Sequence, residues 1–450
     1  MSSESRKKIL VYLMAFTMLL TIPAVYIRLS FCVEEAPPPV LETITGSYGT
    51  MTDRNGTKIY DRNGCTFDEF YNIIDGILSN GNTDSTYTLA YKFGHELAAQ
   101  TVSLLSGYSL DAVKVDGSNL ATTLLPGEAL VTLREAFGEY DGTIFAYNYK
   151  TGEVYVMLSL PSVSPEKADG GKRINSNLGT YMPGSCFKIV TAACALAQDP
   201  ELEQFTYTCT GSHPLDDGTT ITCGGRHGGP LTLTDAIGKS CNCFFAALIN
   251  RFDVEQTREI LGDMGITLRT DKTAAPITTI DRIKRETSST VFGDPSRHED
   301  VWSMIGEVSN TANLIDLATI AGAIANGGSS AAPYLVESIY DPNTERFTYQ
   351  AKQGDMMELL PRDTAERTEK VWSDATEGYY RSGNNTLNGL ISHGKTGTSE
   401  IGENNNRLIL GVMEEYNTAF VVAVDGLPAG DPLMVKIANI LAGLIPAPTG

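Results

Sequence analysis

The chain has 450 residues, and its 34 lysine and arginine residues against 54 aspartate and glutamate residues give a net charge of −20. This acidic balance argues against a nucleic-acid-binding protein, which would typically show a basic surface. Apolar residues make up 42% and charged residues 20% of the chain, which excludes disorder for its bulk and allows roughly two or three domains.

An apolar segment near the N-terminus predicts a membrane anchor. Residues 9–27 carry no charge, and as a helix rising about 1.5 Å per residue they would span about 28 Å, close to a bilayer core. Three basic residues precede the segment, so the positive-inside bias places residues 1–8 in the cytoplasm. A cleaved signal peptide is the alternative, but its apolar segment would be shorter. We expect a single-pass protein of the cell membrane, with a transmembrane signal anchor at residues 9–31 and its soluble part outside.

The soluble part divides into a spacer and two predicted domains. Residues 32–40 contain three consecutive prolines, which favour a stiff, extended spacer. Residues 41–125 are polar, with turn signals at 53–56 and 61–64, and are predicted to form a small N-terminal domain. Residues 126–446 are predicted to form the main domain.

The main domain has an α/β pattern. Strands are predicted at both of its ends and helices in its middle, which indicates one sheet with an inserted helical subdomain. The first two strands are joined through Lys150-Thr151-Gly152, which is typical of a hairpin turn. The predicted strands are 142–147, 153–158, 408–413 and 419–424, and the predicted helices are 185–196, 233–251, 314–325 and 433–445.

An S-x-x-K tetrad on a helix brings a hydroxyl and an amine to one face, an arrangement suited to nucleophilic catalysis. At Ser185 and Lys188, Pro183-Gly184 precedes the tetrad and an apolar helix follows it. A turn would then place Ser185 at a helix N-terminus, where backbone N–H groups favour a developing anion. Three other tetrads lack this setting: Ser5/Lys8, Ser164/Lys167 and Ser392/Lys395.

Two further motifs are candidates for the same site. Ser240-Cys241-Asn242 lies in a predicted apolar helix, where a buried serine and asparagine need hydrogen-bond partners. Lys395-Thr396-Gly397-Thr398 precedes a predicted strand and is expected along an exposed sheet edge. A second K-T-G, at 150–152, lies in the hairpin turn, so we expect it to be structural.

The order of the three motifs resembles that of the penicillin-recognising serine acyl-transferases, and within them the class B penicillin-binding proteins. The turn at 53–56 and the Asn326-Gly327-Gly328 turn support the resemblance, which covers most of residues 41–445. It implies a β-lactamase/transpeptidase-like fold of the α/β (α+β) type, with an antiparallel sheet flanked by helices and an all-helical subdomain.

The resemblance implies catalytic roles for four residues. Ser185 would attack the carbonyl of a D-Ala-D-Ala stem peptide and release the terminal D-Ala, leaving an acyl-enzyme. Lys188, with its pKa lowered by burial and a second cation, would act as the base. Ser240 would pass a proton to the leaving amine, and Asn242 would hydrogen-bond Lys188 or the substrate.

The remaining motif residues would bind the substrate. Lys395 would supply positive potential, and the Thr396 and Thr398 hydroxyls would hold the substrate carboxylate. Gly397 would let the peptide lie against the strand as an added β-partner. The backbone N–H groups of Ser185 and Thr398 would form the oxyanion hole.

The whole resemblance implies a membrane-anchored peptidoglycan D,D-transpeptidase that cross-links stem peptides of the cell wall and is acylated by β-lactam antibiotics. It implies no metal or organic cofactor, and a partner membrane protein that polymerises glycan. The alternatives are a D,D-carboxypeptidase or β-lactamase-like hydrolase, a penicilloyl sensor, and an inactive cell-wall scaffold. A role in elongation, division or sporulation is left open.

The cysteines allow several interpretations. Cys209, His213, Cys223 and His227 have two C-x3-H spacings that could ligate zinc. The resemblance instead implies a disulfide between Cys209 and Cys223, and buried free thiols are a third possibility. The remaining cysteines of this region are expected to be packing residues, with the two that flank Asn242 pointing to different faces of a helix: Cys186, Cys194, Cys241 and Cys243.

Overall fold

A computed structural model describes most of the main domain and a part of the region before it. The predicted membrane anchor and spacer, and most of the predicted N-terminal domain, lie outside the described residues. Within the described ranges, no helix combines the length and the apolar character needed to cross a membrane. The described ranges are 50–60, 119–160, 177–269, 277–280, 283–342, 344–383, 386–401, 404–428 and 430–448.

A five-stranded antiparallel sheet forms the centre of the fold, in the order β18-β19-β20-β4-β5. β4 and β5 form the predicted hairpin, and β20 pairs with β4 to join the C-terminal strands to it. Both faces of β4 and β20 are buried, because helices cover the sheet on each side, which explains their continuous apolar sequences. The bounds are β4 (Gly142–Asn148), β5 (Val154–Leu160), β18 (His393–Ile401), β19 (Asn404–Met413) and β20 (Thr418–Val424).

A second five-stranded sheet has the order β16-β15-β3-β1-β2 and takes strands from both predicted domains. Its first hairpin turns at Asp53, whose carboxylate accepts the backbone N–H groups of Asn55 and Thr57, as the turn signal there predicted. Strand β3 joins the two parts, because it pairs with β1 on one side and β15 on the other. The bounds are β1 (Met51–Thr52), β2 (Lys58–Tyr60), β3 (Asn119–Thr122), β15 (Val336–Asp341) and β16 (Arg346–Gln350).

The helices cover the central sheet and form the inserted helical part. The predicted helix at 314–325 is confirmed as α7, and its side chains are almost all buried. It ends at Ala325 with Asn326 as its C-cap, and Gly327 and Gly328 then take positive φ angles, as the turn sequence predicted. The bounds are α1 (Gly127–Ala136), α2 (Lys188–Gln198), α3 (Leu233–Gly238), α4 (Asn242–Ile249), α5 (Val254–Asp263), α6 (His298–Ile305), α7 (Leu314–Ala325), α8 (Arg362–Tyr379) and α9 (Leu433–Leu444).

The single helix predicted over 233–251 is wrong, because the chain breaks between α3 and α4. Ser240 has a φ of 54°, in the left-handed region that non-glycine residues rarely adopt. Cys241 is then extended, and its sulfur caps α4 by accepting the Phe244 N–H. Gly238, Lys239 and Ser240 interrupt the apolar pattern at the break, and each short helix buries apolar side chains on its own side of it.

The remaining strands form two-stranded ribbons. Two of them fill the segment between α2 and α3, where β6 pairs with β9 and β7 pairs with β8. Two-stranded ribbons are only marginally stable alone, so the stability of this segment depends on the contacts that its loops make. The bounds are β6 (Tyr207–Cys209), β7 (Ser212–Pro214), β8 (Thr220–Thr222), β9 (Gly228–Leu231), β10 (Thr267–Arg269), β11 (Ile277–Ile280), β12 (Ile283–Glu286), β13 (Ser289–Val291), β14 (Ser329–Ala331) and β17 (Met356–Glu358).

Candidate active site

Ser185 lies on a 3-10 turn, Gly184–Phe187, that leads directly into α2. The predicted turn and helix are therefore confirmed, with the tighter turn carrying the serine. Gly184 has a φ of 53°, and an added Cβ there would lie 2.4 Å from the Thr398 carbonyl oxygen. Only glycine fits at this position, because the turn packs directly against the strand that carries Thr398.

Lys188 lies one helical turn after Ser185 and is fully buried. Its Nζ is 2.9 Å from Ser185 Oγ, 2.6 Å from Asn242 Oδ1 and 2.8 Å from the Ser240 carbonyl oxygen. The break between α3 and α4 makes these contacts possible, because it turns the Ser240 carbonyl and the Asn242 side chain toward the lysine. The S-x-x-K and S-x-N motifs therefore contact each other through the Lys188 amine.

The environment of Lys188 disfavours its charged form. Burial, and next the positive charge of Lys395, lower the pKa of Lys188 to about 7. A neutral amine has two N–H groups and one lone pair. The Asn242 and Ser240 oxygens can accept the two N–H groups, which leaves the lone pair available to the Ser185 hydroxyl.

Ser240 links the two buried lysines. Its Oγ lies 3.2 Å from Lys188 Nζ and 3.1 Å from Lys395 Nζ. Lys395 Nζ also donates to the Thr396 carbonyl oxygen at 2.6 Å. The hydroxyl of Ser240 is thus in hydrogen-bond contact with the Nζ atoms of both lysines.

The third predicted motif lies on β18, at the edge of the central sheet. Lys395 and Gly397 face inward, whereas Thr396 and Thr398 are partly exposed on the other face. An added Cβ at Gly397 would lie 2.5 Å from the Pro183 carbonyl oxygen, so this glycine lets β18 pack on the turn that carries Ser185. The edge position of β18 is as predicted.

Two neighbours of the site lie outside the three predicted motifs. The hydroxyl of Tyr380 lies 3.1 Å from Thr396 Oγ1 and accepts the Thr396 N–H at 3.3 Å. Gly306 has a φ of 105°, and its carbonyl accepts the Gly184 N–H at 2.9 Å. The chain has 20 tyrosines, and Tyr380 lies in a polar stretch where no motif distinguishes it from the others.

Two of the repeated motifs have other roles. Ser392 Oγ contacts His393 Nδ1 at 2.8 Å, so the S-x-x-K that ends at Lys395 is not a second nucleophile pair. The K-T-G at 150–152 forms the hairpin turn as predicted, where Gly152 has a φ of 88°. The tetrads at Ser5 and Ser164 lie outside the described residues.

His393 is buried behind the site and does not reach the cleft. Its Nε2 lies 2.9 Å from Glu369 Oε1, and its ring packs against Trp372. This pairing holds the start of β18 against α8.

The expectation for Cys241 and Cys243 is wrong, because their sulfur atoms converge. Both lie near the sulfur of Cys223, at 3.8 and 3.4 Å. Cys241 precedes α4 in an extended conformation and is not within a helix, so the helical spacing that separates neighbouring side chains does not apply. Cys209 and Cys223 are free thiols 3.8 Å apart.

Residues 142–428 match the family model described as penicillin binding protein transpeptidase domain. This range includes all the predicted site residues described above. The chain belongs to the penicillin-binding protein transpeptidase family. The resemblance inferred from the three motifs is therefore confirmed, as is the antiparallel sheet with helices that it implies.

Curated relatives match over more than half of the chain. The chain is 27% identical over 289 residues to the peptidoglycan D,D-transpeptidase PbpA of Mycobacterium tuberculosis, covering 59% of this chain and 56% of the relative. It is 28% identical over 308 residues to the stage V sporulation protein D of Bacillus subtilis, covering 66% of this chain and 44% of the relative. The matched part thus spans about half the length of these relatives.

Solved structures of the family have the same fold. The ceftriaxone acyl-enzyme complex of penicillin-binding protein A from M. tuberculosis superposes with a TM-score of 0.70 at 21% identity, over 90% of this chain and all of the other. The D,D-transpeptidase domain of a peptidoglycan glycosyltransferase from Eggerthella lenta gives 0.68 at 19% identity, over 89% and 98%. At 21% and 19% sequence identity, these similarities establish the fold alone.

Proposed function

We propose that this protein is a peptidoglycan D,D-transpeptidase that works through an acyl-enzyme on Ser185. The observation that carries the proposal is the contact of Lys188 Nζ with Ser185 Oγ, in a buried setting that lowers the pKa of the lysine to about 7. The family and the names of the curated relatives support the reaction class.

In the acylation step, the neutral Lys188 amine takes the proton of the Ser185 hydroxyl. The serine oxygen then bonds to the carbonyl carbon between the two D-Ala residues, and the carbonyl oxygen becomes an oxyanion. The backbone N–H groups of Ser185 and Thr398 stabilise this charge. Losing one such donor typically lowers the turnover rate by about 10²–10³-fold.

The collapse of this intermediate breaks the C–N bond and needs a proton on the leaving amine. Protonated Lys188 returns its proton through the Ser240 hydroxyl, which contacts both lysine Nζ atoms. Free D-Ala leaves, and an ester remains on Ser185. Asn242 keeps Lys188 in place through both halves of the reaction.

The exposed edge of β18 binds the donor peptide. A peptide extended along this edge adds a strand to the sheet by main-chain hydrogen bonds. The Thr396 and Thr398 hydroxyls hold its terminal carboxylate, with the buried Lys395 supplying positive potential beneath them. A β-lactam that binds the same edge acylates Ser185 in place of the peptide.

The acyl group then passes to an acceptor amine of a second stem peptide. The amine attacks the ester carbonyl, Lys188 takes its extra proton, and the Ser185 oxygen leaves. A cross-link results. Water in place of the amine would give a D,D-carboxypeptidase, so the acceptor distinguishes the two activities.

The cellular setting is also part of the proposal. The charge-free segment within residues 9–31 and the basic residues before it support a single-pass anchor in the cell membrane, with the catalytic part outside the cytoplasm. Nothing in the described residues resembles a glycan-polymerising domain, so a membrane protein with that activity would supply the strands to be cross-linked.

The decisive test supplies the full chain in detergent with a stem pentapeptide ending in D-Ala-D-Ala and a peptide acceptor amine. Release of D-Ala, together with a cross-linked product identified by mass, is the expected result. Ser185→Ala should abolish both products. Release of D-Ala without a cross-linked product, at any acceptor concentration, would overturn the transpeptidase assignment in favour of the carboxypeptidase.

A further inference from the structure

Three cysteines and a histidine converge beside the S-x-N motif, although they come from separate loops. Cys209 ends β6, Cys223 follows β8, His227 precedes β9 and Cys241 caps α4. One ligand atom from each of these four residues lies within 4.8 Å of every other. The proposed transpeptidase reaction uses none of these four side chains.

We propose that Cys209, Cys223, His227 and Cys241 bind a structural zinc ion. Three thiolates and one imidazole are a ligand set that zinc prefers, and structural zinc sites of this composition are tetrahedral and closed. The site joins the two ribbons between α2 and α3 to the first residue before α4.

The separations of the ligand atoms match a tetrahedral site. Zinc–sulfur bonds of about 2.3 Å place two sulfur ligands about 3.8 Å apart, and a sulfur and a nitrogen about 3.6 Å apart. The Cys223 sulfur lies 3.8 Å from the sulfurs of Cys209 and Cys241, and Cys209 Sγ lies 3.7 Å from His227 Nδ1. A disulfide would instead need two sulfurs about 2.05 Å apart.

Backbone hydrogen bonds to sulfur support the same conclusion. The Cys243 N–H donates to Cys223 Sγ at 3.3 Å, and the Phe244 N–H donates to Cys241 Sγ at 3.4 Å. Outer groups that hydrogen-bond to metal ligands orient them and tune the site. Cys243 itself lies outside the four ligands, and its thiol points to the Ile221 carbonyl oxygen at 3.7 Å.

The segment that carries the ligands has a physical need for such a cross-link. It consists of two-stranded ribbons whose side chains are mostly exposed between residues 207 and 231. Small segments with little core are commonly stabilised by a metal or by disulfides. Cys209 and Cys241 are nonetheless almost fully buried, so an ion bound there would be shielded from solvent.

The site also bears on catalysis, a consequence that rests on the proposed function. Cys241 stands between Ser240 and Asn242, and the Asn242 side chain donates to the carbonyl of Thr222, the residue before Cys223. Zinc bound at Cys223 and Cys241 would therefore fix the middle residue of the S-x-N motif and, through Thr222, the Asn242 side chain. Losing the ion should slow acylation by about tenfold or more, comparable to the loss of groups that support a metal site.

The test is the metal content of the purified full chain, measured after dialysis without chelator and under reducing conditions. We expect one zinc per chain, and X-ray absorption at the zinc edge should find three sulfur neighbours and one nitrogen. Cobalt(II) added to zinc-free protein should give the strong visible bands of a tetrahedral thiolate site. These readouts need neither a variant nor substrate, so they judge the site even if the transpeptidase assignment fails.

Variants then assign the ligands. Cys223→Ser and Cys241→Ser should lose the zinc, whereas Cys194→Ser, which removes a buried thiol of α2 away from the cluster, should retain it. Protein without stoichiometric zinc, or with these cysteines joined as disulfides in peptide mapping, would overturn the proposal. So would a Cys223→Ser variant that keeps its zinc. Equal acylation of zinc-bound and zinc-free protein would contradict only the coupling to catalysis.

Discussion

Lys188 Nζ lies 2.9 Å from Ser185 Oγ, and the lysine is completely buried while the serine is partly exposed. In the proposed mechanism, this pairing puts the base beneath the nucleophile. It also makes the protonation state of one residue decide the reactivity of the other, which gives the pH dependence of acylation a specific cause.

The rate of acylation should rise with pH and level off above about 7, where Lys188 becomes neutral. The protonated amine cannot accept the serine proton, so below the midpoint the rate should fall about tenfold per pH unit. Stopped-flow acylation by a fluorescent penicillin between pH 5 and 9 measures this profile. A rate that stays constant across that range would mean that Lys188 is not the base.

Replacing Lys395 by glutamine should move the midpoint of that profile to higher pH. The positive charge of Lys395 is the second cause of the lowered Lys188 pKa, so removing that charge should raise the Lys188 pKa. Lys395 also lies below the substrate-binding edge, and its loss should slow acylation at every pH. The shift of the midpoint measures the electrostatic effect of Lys395 on the Lys188 pKa separately from the slower rate. An unshifted midpoint would mean that Lys395 does not lower the Lys188 pKa.

Asn242→Ala should slow acylation about 10- to 100-fold, because the amine loses its shortest hydrogen-bond acceptor, worth about 1.5–3 kcal/mol. Asn250→Ala is the matched control, since Asn250 lies just beyond the other end of the same helix and is exposed. Second-order acylation constants for both variants make the comparison. An equal, small effect of the two substitutions would remove Asn242 from the catalytic site.

Gly306→Ala should destabilise the protein by at least about 1–3 kcal/mol, because alanine resists the left-handed φ and its Cβ would lie 2.0 Å from the Gly184 carbonyl oxygen. Gly262→Ala should instead increase the free energy of unfolding by about 0.5–1 kcal/mol, because alanine favours the helical conformation more than glycine. An added Cβ at this position would have open space around it. Chemical unfolding of the two variants measures both changes. Equal stabilities would show that the contact between Gly306 and Gly184 does not constrain the nucleophile turn.

The sequence predicted the parts of the site that lie within motifs. Ser185 and Lys188 are three residues apart, so local helical geometry alone brings them together. The central sheet was also predictable, because the buried strands at both ends of the main domain have clear apolar patterns.

The parts that were not predicted depend on long-range contacts. The break at Ser240 depends on an unfavourable positive φ that the surrounding structure maintains. Without that break, the convergence of Cys241 with Cys209 and Cys223 could not be anticipated. Tyr380 reaches Thr396 only because α8 packs against β18, a tertiary relationship that no local pattern encodes.

The most direct test of the central claim is the intact mass of the full chain after incubation with benzylpenicillin, beside Ser185→Ala under the same conditions. We predict a stable increase of one penicilloyl group, mapped by peptide analysis to Ser185 and absent from the variant. A folded protein that gains no mass while the drug stays intact, or an adduct that persists in Ser185→Ala, would contradict the acyl-enzyme mechanism.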